Sequence, residues 1–261
     1  MSDILSLFEV NIPKTNSVPI VISFPHSGFA IPEELKNNYK KEAIDFIDDT
    51  DWFLPELYSF AEELGITTIK ANYSRWVIDL NRNPDSKPLY NDGRIITALC
   101  TSTDFLGNPI YNEGMVPNYE EVERRKQTYF WPYDKALQEI LDGFKKTFGK
   151  AVFYDSHSIR STVPTIQKSR FPDLILGTAD EQSANSEIIN SVLGSLKKGP
   201  YQVNHNAPFK GGNLTRHFGK PTLNQHAIQL ERCKDLYMDQ AEKSLDNNKA
   251  QVLSQTLKTM F

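Results

Sequence analysis

Short apolar runs alternate along the chain with longer stretches whose apolar residues recur at helical spacing. The apolar runs have the length of buried strands and are bounded by turn residues. They are residues 19–24, 66–71, 75–80, 151–156, 171–177 and 226–231. Helical spacing predicts helices over 51–64, 119–148 with an interruption near Pro132, 183–197, and the C-terminal segment. This alternation predicts an α/β fold around a mixed or mainly parallel sheet.

Length and composition predict a single domain that spans residues 1–261. A chain of 261 residues with 39% hydrophobic content can bury one sizeable core. Residues 83–118 are rich in Pro, Asn, Asp and Gly, and residues 204–220 in Gly, Asn and Lys. We expect both segments to be loops, and the first to be a long functional loop because structureless loops of that length are uncommon.

Net charge and the absence of targeting signals indicate which partners and which cell compartment to expect. The net charge of −4 and a pI near 5.8 predict no global attraction to nucleic acid or anionic membranes, so local arginines must attract any acidic small molecule. The N-terminus lacks a signal-peptide pattern, and no run approaches the roughly 20 apolar residues of a membrane span. Two distant cysteines do not predict a disulfide framework. We therefore expect a soluble cytoplasmic protein.

Two of the five histidines follow predicted strands. His26 comes after the run 18–24, and His157 after a strand that starts at residue 151. A neutral imidazole at the carboxyl end of a strand can ligate a metal, and zinc in hydrolases takes three protein ligands with a fourth position open for water. Either histidine alone would more often be an ordinary core or loop residue.

A carboxylate ligand is expected from the acidic segment 47–52. Asp51 is preferred to Asp49, although either carboxylate could instead cap the helix predicted to start near Trp52. Glu231 ends another apolar run, where it could act as a general base or be an ordinary surface glutamate.

Arginines near these segments are candidate receptors for a substrate carboxylate. Arg75 and Arg82 flank an apolar run, and a guanidinium binds a carboxylate through two parallel hydrogen bonds. Asp79 lies inside that run and needs a partner if it is buried, so a purely structural Asp–Arg pair is the alternative. Arg160 and Arg216 are further candidates, although each alone would more often be a surface residue.

Other catalytic motifs are missing from the sequence. There is no Gly-x-Ser-x-Gly elbow, Walker loop or Gly-x-Gly-x-x-Gly fingerprint. Ser158 is adjacent to His157, but neighbouring side chains of a strand point to opposite faces, so the two do not form a nucleophile–base pair by adjacency.

Seven segments, in order over nearly the whole chain, resemble the N-formylglutamate amidohydrolase family. They are Pro25–Gly28 with Ile31–Pro32, Asp49–Trp52, Ser74–Arg82, Tyr154–Ser158, Phe171–Thr178, Gly211–Gly219 and Ala227–Glu231. The family is similar at a distance to the zinc carboxypeptidases and aspartoacylases. That likeness implies a three-layer α/β/α sandwich with a mixed sheet, of the phosphorylase/hydrolase type.

The resemblance also implies site residues. It makes His26 and His157 ligands of zinc, for which cobalt or manganese could substitute, and Glu231 the base. Asn81 and Arg82 would bind a substrate carboxylate.

In one respect the chain departs from these relatives. They carry a glutamate ligand three residues after the first histidine, where this chain has Phe29. Asp51 is therefore expected to be the third ligand.

The implied activity is hydrolysis of N-formyl-L-glutamate to formate and L-glutamate in histidine degradation. Arg216 or His217 would hold the oxyanion, and Arg75 or Arg160 would assist Arg82. Two alternatives stay open: an amidohydrolase for another N-acyl acidic amino acid or small peptide, and a non-catalytic homologue that binds a metal or ligand.

Overall fold

A mixed sheet of seven strands forms the centre of the protein. The computed structural model describes residues 5–14, 16–85 and 98–261. The strands are β1 (Phe8–Asn11), β2 (Ile20–Phe24), β3 (Thr67–Ala71), β4 (Ala151–Ile159), β5 (Leu174–Gly177), β6 (Val203–His205) and β7 (Gln225–Cys233), in the order β1-β3-β2-β4-β7-β5-β6.

Parallel pairing in the middle of the sheet determines where the functional side chains meet. Strands β3, β2, β4 and β7 are mutually parallel, so their carboxyl ends lie at the same edge. Strand β1 is antiparallel to β3, and β5 is antiparallel to β7 and parallel to β6. The predicted α/β fold with a mixed sheet is confirmed.

Helices cover both faces of this sheet. They are α1 (Glu33–Lys36), α2 (Lys41–Ile44), α3 (Leu54–Leu57), α4 (Tyr119–Arg125), α5 (Trp131–Phe148), α6 (Ser186–Leu196), α7 (Asn213–Phe218) and α8 (Asn247–Lys258). Alternate strand residues point to opposite faces. Val21 and Phe153 pack in one core with α5, whereas their neighbours Ile22 and Tyr154 pack in a second core with α3, α6 and α8. The arrangement is thus a three-layer α/β/α sandwich. The finer likeness to zinc carboxypeptidases stays a prediction, as does the single-domain boundary at 1–261.

The long helical region of the sequence is one nearly continuous rod. A π-helical turn, Lys126–Phe130, joins α4 to α5. Pro132 lies in the first turn of α5, directly after this π-helical turn, so the predicted interruption coincides with this junction. Leu137 and Leu141 are fully buried one turn apart, and Gly149 ends the helix with a φ of 71°.

Three predictions of local structure differ from what is observed. Residues 75–80 are not a strand but a buried series of turns, in which the N–H of Val77 donates to Ser74 O and the buried Arg125 donates to Val77 O. The predicted helix 51–64 is reduced to α3 and the 3₁₀ turn Ser59–Ala61, because Phe53 takes a left-handed conformation before α3. The predicted loop 204–220 contains the end of β6 and all of α7.

Part of the predicted loop 83–118, namely 86–97, lies outside the described residues. Among the described helices, none is long and apolar enough to cross a membrane. Both cysteines are buried and form no disulfide.

Candidate active site

The site lies where β2, β4 and β7 end together. His26 follows β2 by two residues, whereas His157 and Glu231 are each the seventh residue of their strands, β4 and β7. These two strands are longer than predicted, and their register pairs His157 directly with Glu231. Because paired residues on neighbouring strands share a face, both side chains point into the same space.

Three side chains converge in that space. The N–H of Asp51 donates to His26 O at 2.9 Å, which brings the segment after α2 against the end of β2. Asp51 Oδ2 then lies 3.2 Å from His157 Nδ1 and 3.8 Å from His26 Nδ1. The ligand atoms of the three residues all lie within 4.8 Å of one another, and all three residues are buried.

The outer nitrogen of each histidine is held by a second carboxylate. His26 Nε2 lies 2.8 Å from Asp79 Oδ1, and His157 Nε2 lies 3.0 Å from Asp155 Oδ2. A carboxylate only accepts hydrogen bonds, so each Nε2 carries a proton, and with a metal bound each Nδ1 would present its lone pair to the ion. Carboxylates that orient histidines in this way are typical of metal sites. The donor set therefore fits a divalent metal ion.

The electrostatics of the cluster also favour a bound cation. Burial acts to lower the pKa of His157, but Asp155 and Asp51 outweigh it and raise that pKa to about 10. Burial acts to raise the pKa of Asp51, but its hydrogen bond and attraction to His157 lower it below the usual value. The pKa of His26 is lowered by burial and by the charge of Arg75. The three side chains thus hold a positive charge at their centre, as a proton or as a metal.

The structure separates the two candidate carboxylates. Asp49 accepts hydrogen bonds from Trp76 Nε1 at 2.9 Å and from the N–H of Phe105 at 3.1 Å, and it does not join the cluster. Neither aspartate caps α3, whose first turn has no side-chain cap. The preference for Asp51 over Asp49 therefore agrees with the geometry, and the capping alternative is wrong.

Glu231 lies beside this cluster with the properties of a proton carrier. Burial and the negative charge of Asp51 together raise its pKa to about 7, although the charge of His157 opposes the shift. A carboxyl group that titrates near neutral pH can both accept and return a proton during one reaction.

Arg75 and Arg82 both contact Asp79. Arg75 Nη2 donates to Asp79 Oδ2 at 2.6 Å in a buried pair, and Asp79 Oδ1 holds His26. Arg75 thus forms the structural pair that the sequence allowed as an alternative. Arg82 Nε lies 3.4 Å from the same Oδ2, and 23% of its side chain is exposed. Of the two arginines, Arg82 is the more accessible to a substrate.

The remaining predicted cations have partners elsewhere in the described part of the chain. Arg160 Nε pairs with Asp48 Oδ2 at 2.9 Å and with Glu242 Oε2 at 3.2 Å. Arg216 is half-buried on α7, where its Nε donates to Gly211 O at 3.3 Å. His217 is exposed, 3.8 Å from Asp134 on α5.

Two supporting side chains were missed by the sequence reasoning. Asp155 holds His157, and Ser158 Oγ donates to Asp51 Oδ1 at 3.1 Å. The signal for Asp155 was present, because it lies two residues before His157 and therefore on the same face of a strand. Nothing in the sequence pairs Ser158 with Asp51, which is over one hundred residues away.

Comparison with known proteins places this arrangement in a family. The sequence profile of the N-formylglutamate amidohydrolases matches residues 18–238. The chain belongs to the N-formylglutamate amidohydrolase family. It is 38% identical over 226 residues to the N-formylglutamate deformylase of Pseudomonas putida, covering 86% of this chain and 84% of the relative. It is 41% identical over 235 residues to the Pseudomonas aeruginosa protein of the same name, covering 89% and 86%.

One solved structure agrees with this family membership, and a second shares the fold. The crystal structure of N-formylglutamate amidohydrolase from Ralstonia eutropha JMP134 matches with a TM-score of 0.83 at 25% identity, over 98% of this chain and 96% of that one. A protein from Agrobacterium tumefaciens shares the fold with a TM-score of 0.74 at 15% identity, over 97% and 92%.

Proposed function

We propose that this protein is a metal-dependent amidohydrolase that converts N-formyl-L-glutamate to formate and L-glutamate. The deformylases at 38% and 41% identity support the substrate. The observation that carries the reaction is the register of β4 and β7, which sets Glu231 beside His157 and hence beside the three converging ligands. A protein that only bound a metal would have no need of a buried carboxyl group there with a pKa near 7.

His26, Asp51 and His157 would hold the metal. Two imidazoles and one carboxylate suit zinc, although cobalt or manganese would accept the same donors. Once bound, a divalent ion supplies Lewis acidity that polarises the formyl oxygen and acidifies water.

Glu231 then carries the proton of the reaction. Water attacks the formyl carbon while Glu231 takes one of its protons, so a C–O bond forms and the carbonyl oxygen gains negative charge. When the C–N bond breaks, Glu231 returns the proton to the departing amine nitrogen. The second proton of the water also passes to the amine, so that formate and L-glutamate leave and Glu231 is again ionised for the next cycle.

Arginines would anchor the negative charges. Arg82 is proposed to bind a substrate carboxylate, since it is partly exposed while Asp79 holds its Nε in place. Arg216, on α7, is proposed as the cation near the oxyanion. Arg75 and Arg160 are proposed to assist Arg82 only through their positive charge, without direct contact with the substrate, because both are already paired with acidic side chains.

The products suggest the biological setting. Release of glutamate from its formyl derivative fits a last step of histidine degradation, which we propose as the pathway. We propose the cytoplasm as the site of this reaction.

Formate release tests this function directly. The purified protein is assayed with N-formyl-L-glutamate as isolated, after chelation, and after zinc is restored. Formate release that chelation abolishes and zinc restores is the expected result. N-acetyl-L-glutamate and N-formyl-L-aspartate serve as comparison substrates. Faster turnover of either one would contradict the assigned substrate, and full activity in the chelated protein would contradict the role of the metal.

A further inference from the structure

Asn81 was predicted to bind a substrate carboxylate, but both the nitrogen and the oxygen of its side-chain amide form hydrogen bonds within the protein. It lies in the buried turns after β3, with 7% of its surface exposed. Its Nδ2 lies 3.0 Å from Asp155 Oδ2, 2.9 Å from His157 Nε2 and 3.4 Å from Gln229 Oε1. Its Oδ1 accepts the N–H of Leu214 at 2.8 Å.

The contact with Leu214 fixes which way the amide points. A backbone N–H can only donate, so the atom that faces Leu214 must be the oxygen. Nδ2 therefore faces Asp155 Oδ2 and Gln229 Oε1, which can accept its two hydrogens, and Asp155 in turn holds His157 Nε2. A substrate carboxylate needs a donor, and this amide has none left to offer.

The same amide also stabilises the first turn of helix α7. The first N–H groups of a helix have no partner within the helix, and Asn81 Oδ1 supplies one for Leu214. Gly212 precedes the helix, and a Cβ there would lie 2.3–2.5 Å from the Asn81 amide. Only glycine lets the chain pass so close, which shows how tightly the start of α7 packs on Asn81.

We propose that Asn81 is a positioning residue and not a substrate ligand. Its amide connects two parts of the site. Nδ2 contacts the Asp155–His157 pair, and Oδ1 contacts the start of α7, the helix that carries Arg216. The inference rests on the proposed metal site, because its main consequence is the orientation of His157. It revises the role that the sequence predicted for Asn81.

Metal affinity measured without substrate separates the two roles. Zinc affinity is determined by competition with a chromophoric chelator for the wild type, Asn81→Ala and Arg82→Ala. Loss of a group that orients a ligand typically weakens metal binding about 10–100-fold. We expect this loss for Asn81→Ala. For Arg82→Ala, the matched control, we expect unchanged zinc affinity and a raised KM. Unchanged zinc affinity in Asn81→Ala, with only KM raised, would overturn the proposal.

Gly212→Ala gives a second test that leaves Asn81 in place. The atoms nearest to a Cβ added at Gly212 all belong to the Asn81 amide, so the new methyl group would push that amide first. We expect weaker zinc binding in this variant as well, with thermal melts to establish that both variants are folded. Zinc affinity equal to that of the wild type, despite the added methyl group, would contradict the positioning role of Asn81.

Hydrogen exchange in the metal-free protein keeps this proposal separate from the proposed function. Loss of one hydrogen bond should make the Leu214 amide exchange about fivefold to tenfold faster in Asn81→Ala, with amides of α5 unchanged. If the wild type takes up no zinc, the metal-dependent function fails while this result still tests the contact between Asn81 and α7 on which the proposal depends. Unchanged exchange at Leu214 would show that α7 does not depend on Asn81.

Discussion

Replacing Glu231 with glutamine removes the proposed base while keeping the size of the side chain. Glu231 is buried beside His157 and Asp51, and its pKa of about 7 lets it exchange protons at neutral pH. Losing a general base costs about 10²–10⁴-fold in rate, which corresponds to about 3–5 kcal/mol of transition-state stabilisation. We expect kcat for N-formyl-L-glutamate to fall by that factor, with KM nearly unchanged.

The fold and the metal site should survive this change. Because the folded-state pKa lies above the usual value of 4.5, the unfolded chain ionises first, and this group lowers stability as the pH rises from 4.5 to about 7. At pH 8 the metal-free glutamine variant should therefore melt no lower than the wild type. Exposed Glu187 provides a matched control, since Glu187→Gln should leave kcat unchanged.

Stopped assays of formate, together with zinc content per chain, measure the outcome. One zinc per chain with turnover within threefold of the wild type would refute the role of Glu231. Slow turnover accompanied by loss of zinc would instead show that Glu231 supports the metal.

Three further changes test other parts of the account. Asp51→Asn should lose zinc and activity together, whereas Asp49→Asn should keep zinc, as measured by metal content after dialysis; the reverse pattern would reassign the ligand. Arg82→Ala should raise KM at least tenfold with partial recovery in Arg82→Lys, and unchanged saturation would exclude a receptor role. Leu137→Ala should lower the free energy of unfolding by about 2–5 kcal/mol in denaturant titrations, because Leu137 is fully buried, and exposed Val252→Ala should change it little. Equal effects of the two would contradict the assigned core.

The parts of the fold that depend on local periodicity could be predicted from the sequence. Strands β2, β3, β4 and β7 and helix α5 each carry the pattern expected of their type. The prediction of a strand over 75–80 was wrong for a physical reason. Its apolar side chains are buried because the whole segment lies inside the protein, not because it belongs to the sheet. Contacts from distant residues, such as the one from Arg125 to Val77 O, keep its backbone in turns. Composition alone does not reveal such contacts.

The candidate site could be predicted from the sequence only in part. Strand ends predicted where His26 and His157 would lie, and the resemblance to the family directed attention to Asp51. The orientation of each ring depends on Asp79 and Asp155, and the amide of Asn81 ties His157 to α7. Apart from the Asp155–His157 pair, these contacts join segments far apart in sequence, so residue types and spacing could not separate a substrate ligand from a positioning residue.

The measurement that tests the central claim most directly is anomalous diffraction at the zinc edge from crystals of the zinc-loaded protein. The account predicts one strong peak about 2.0–2.2 Å from His26 Nδ1, His157 Nδ1 and Asp51 Oδ2. A peak at other residues, or no peak from crystals of active protein, would contradict it.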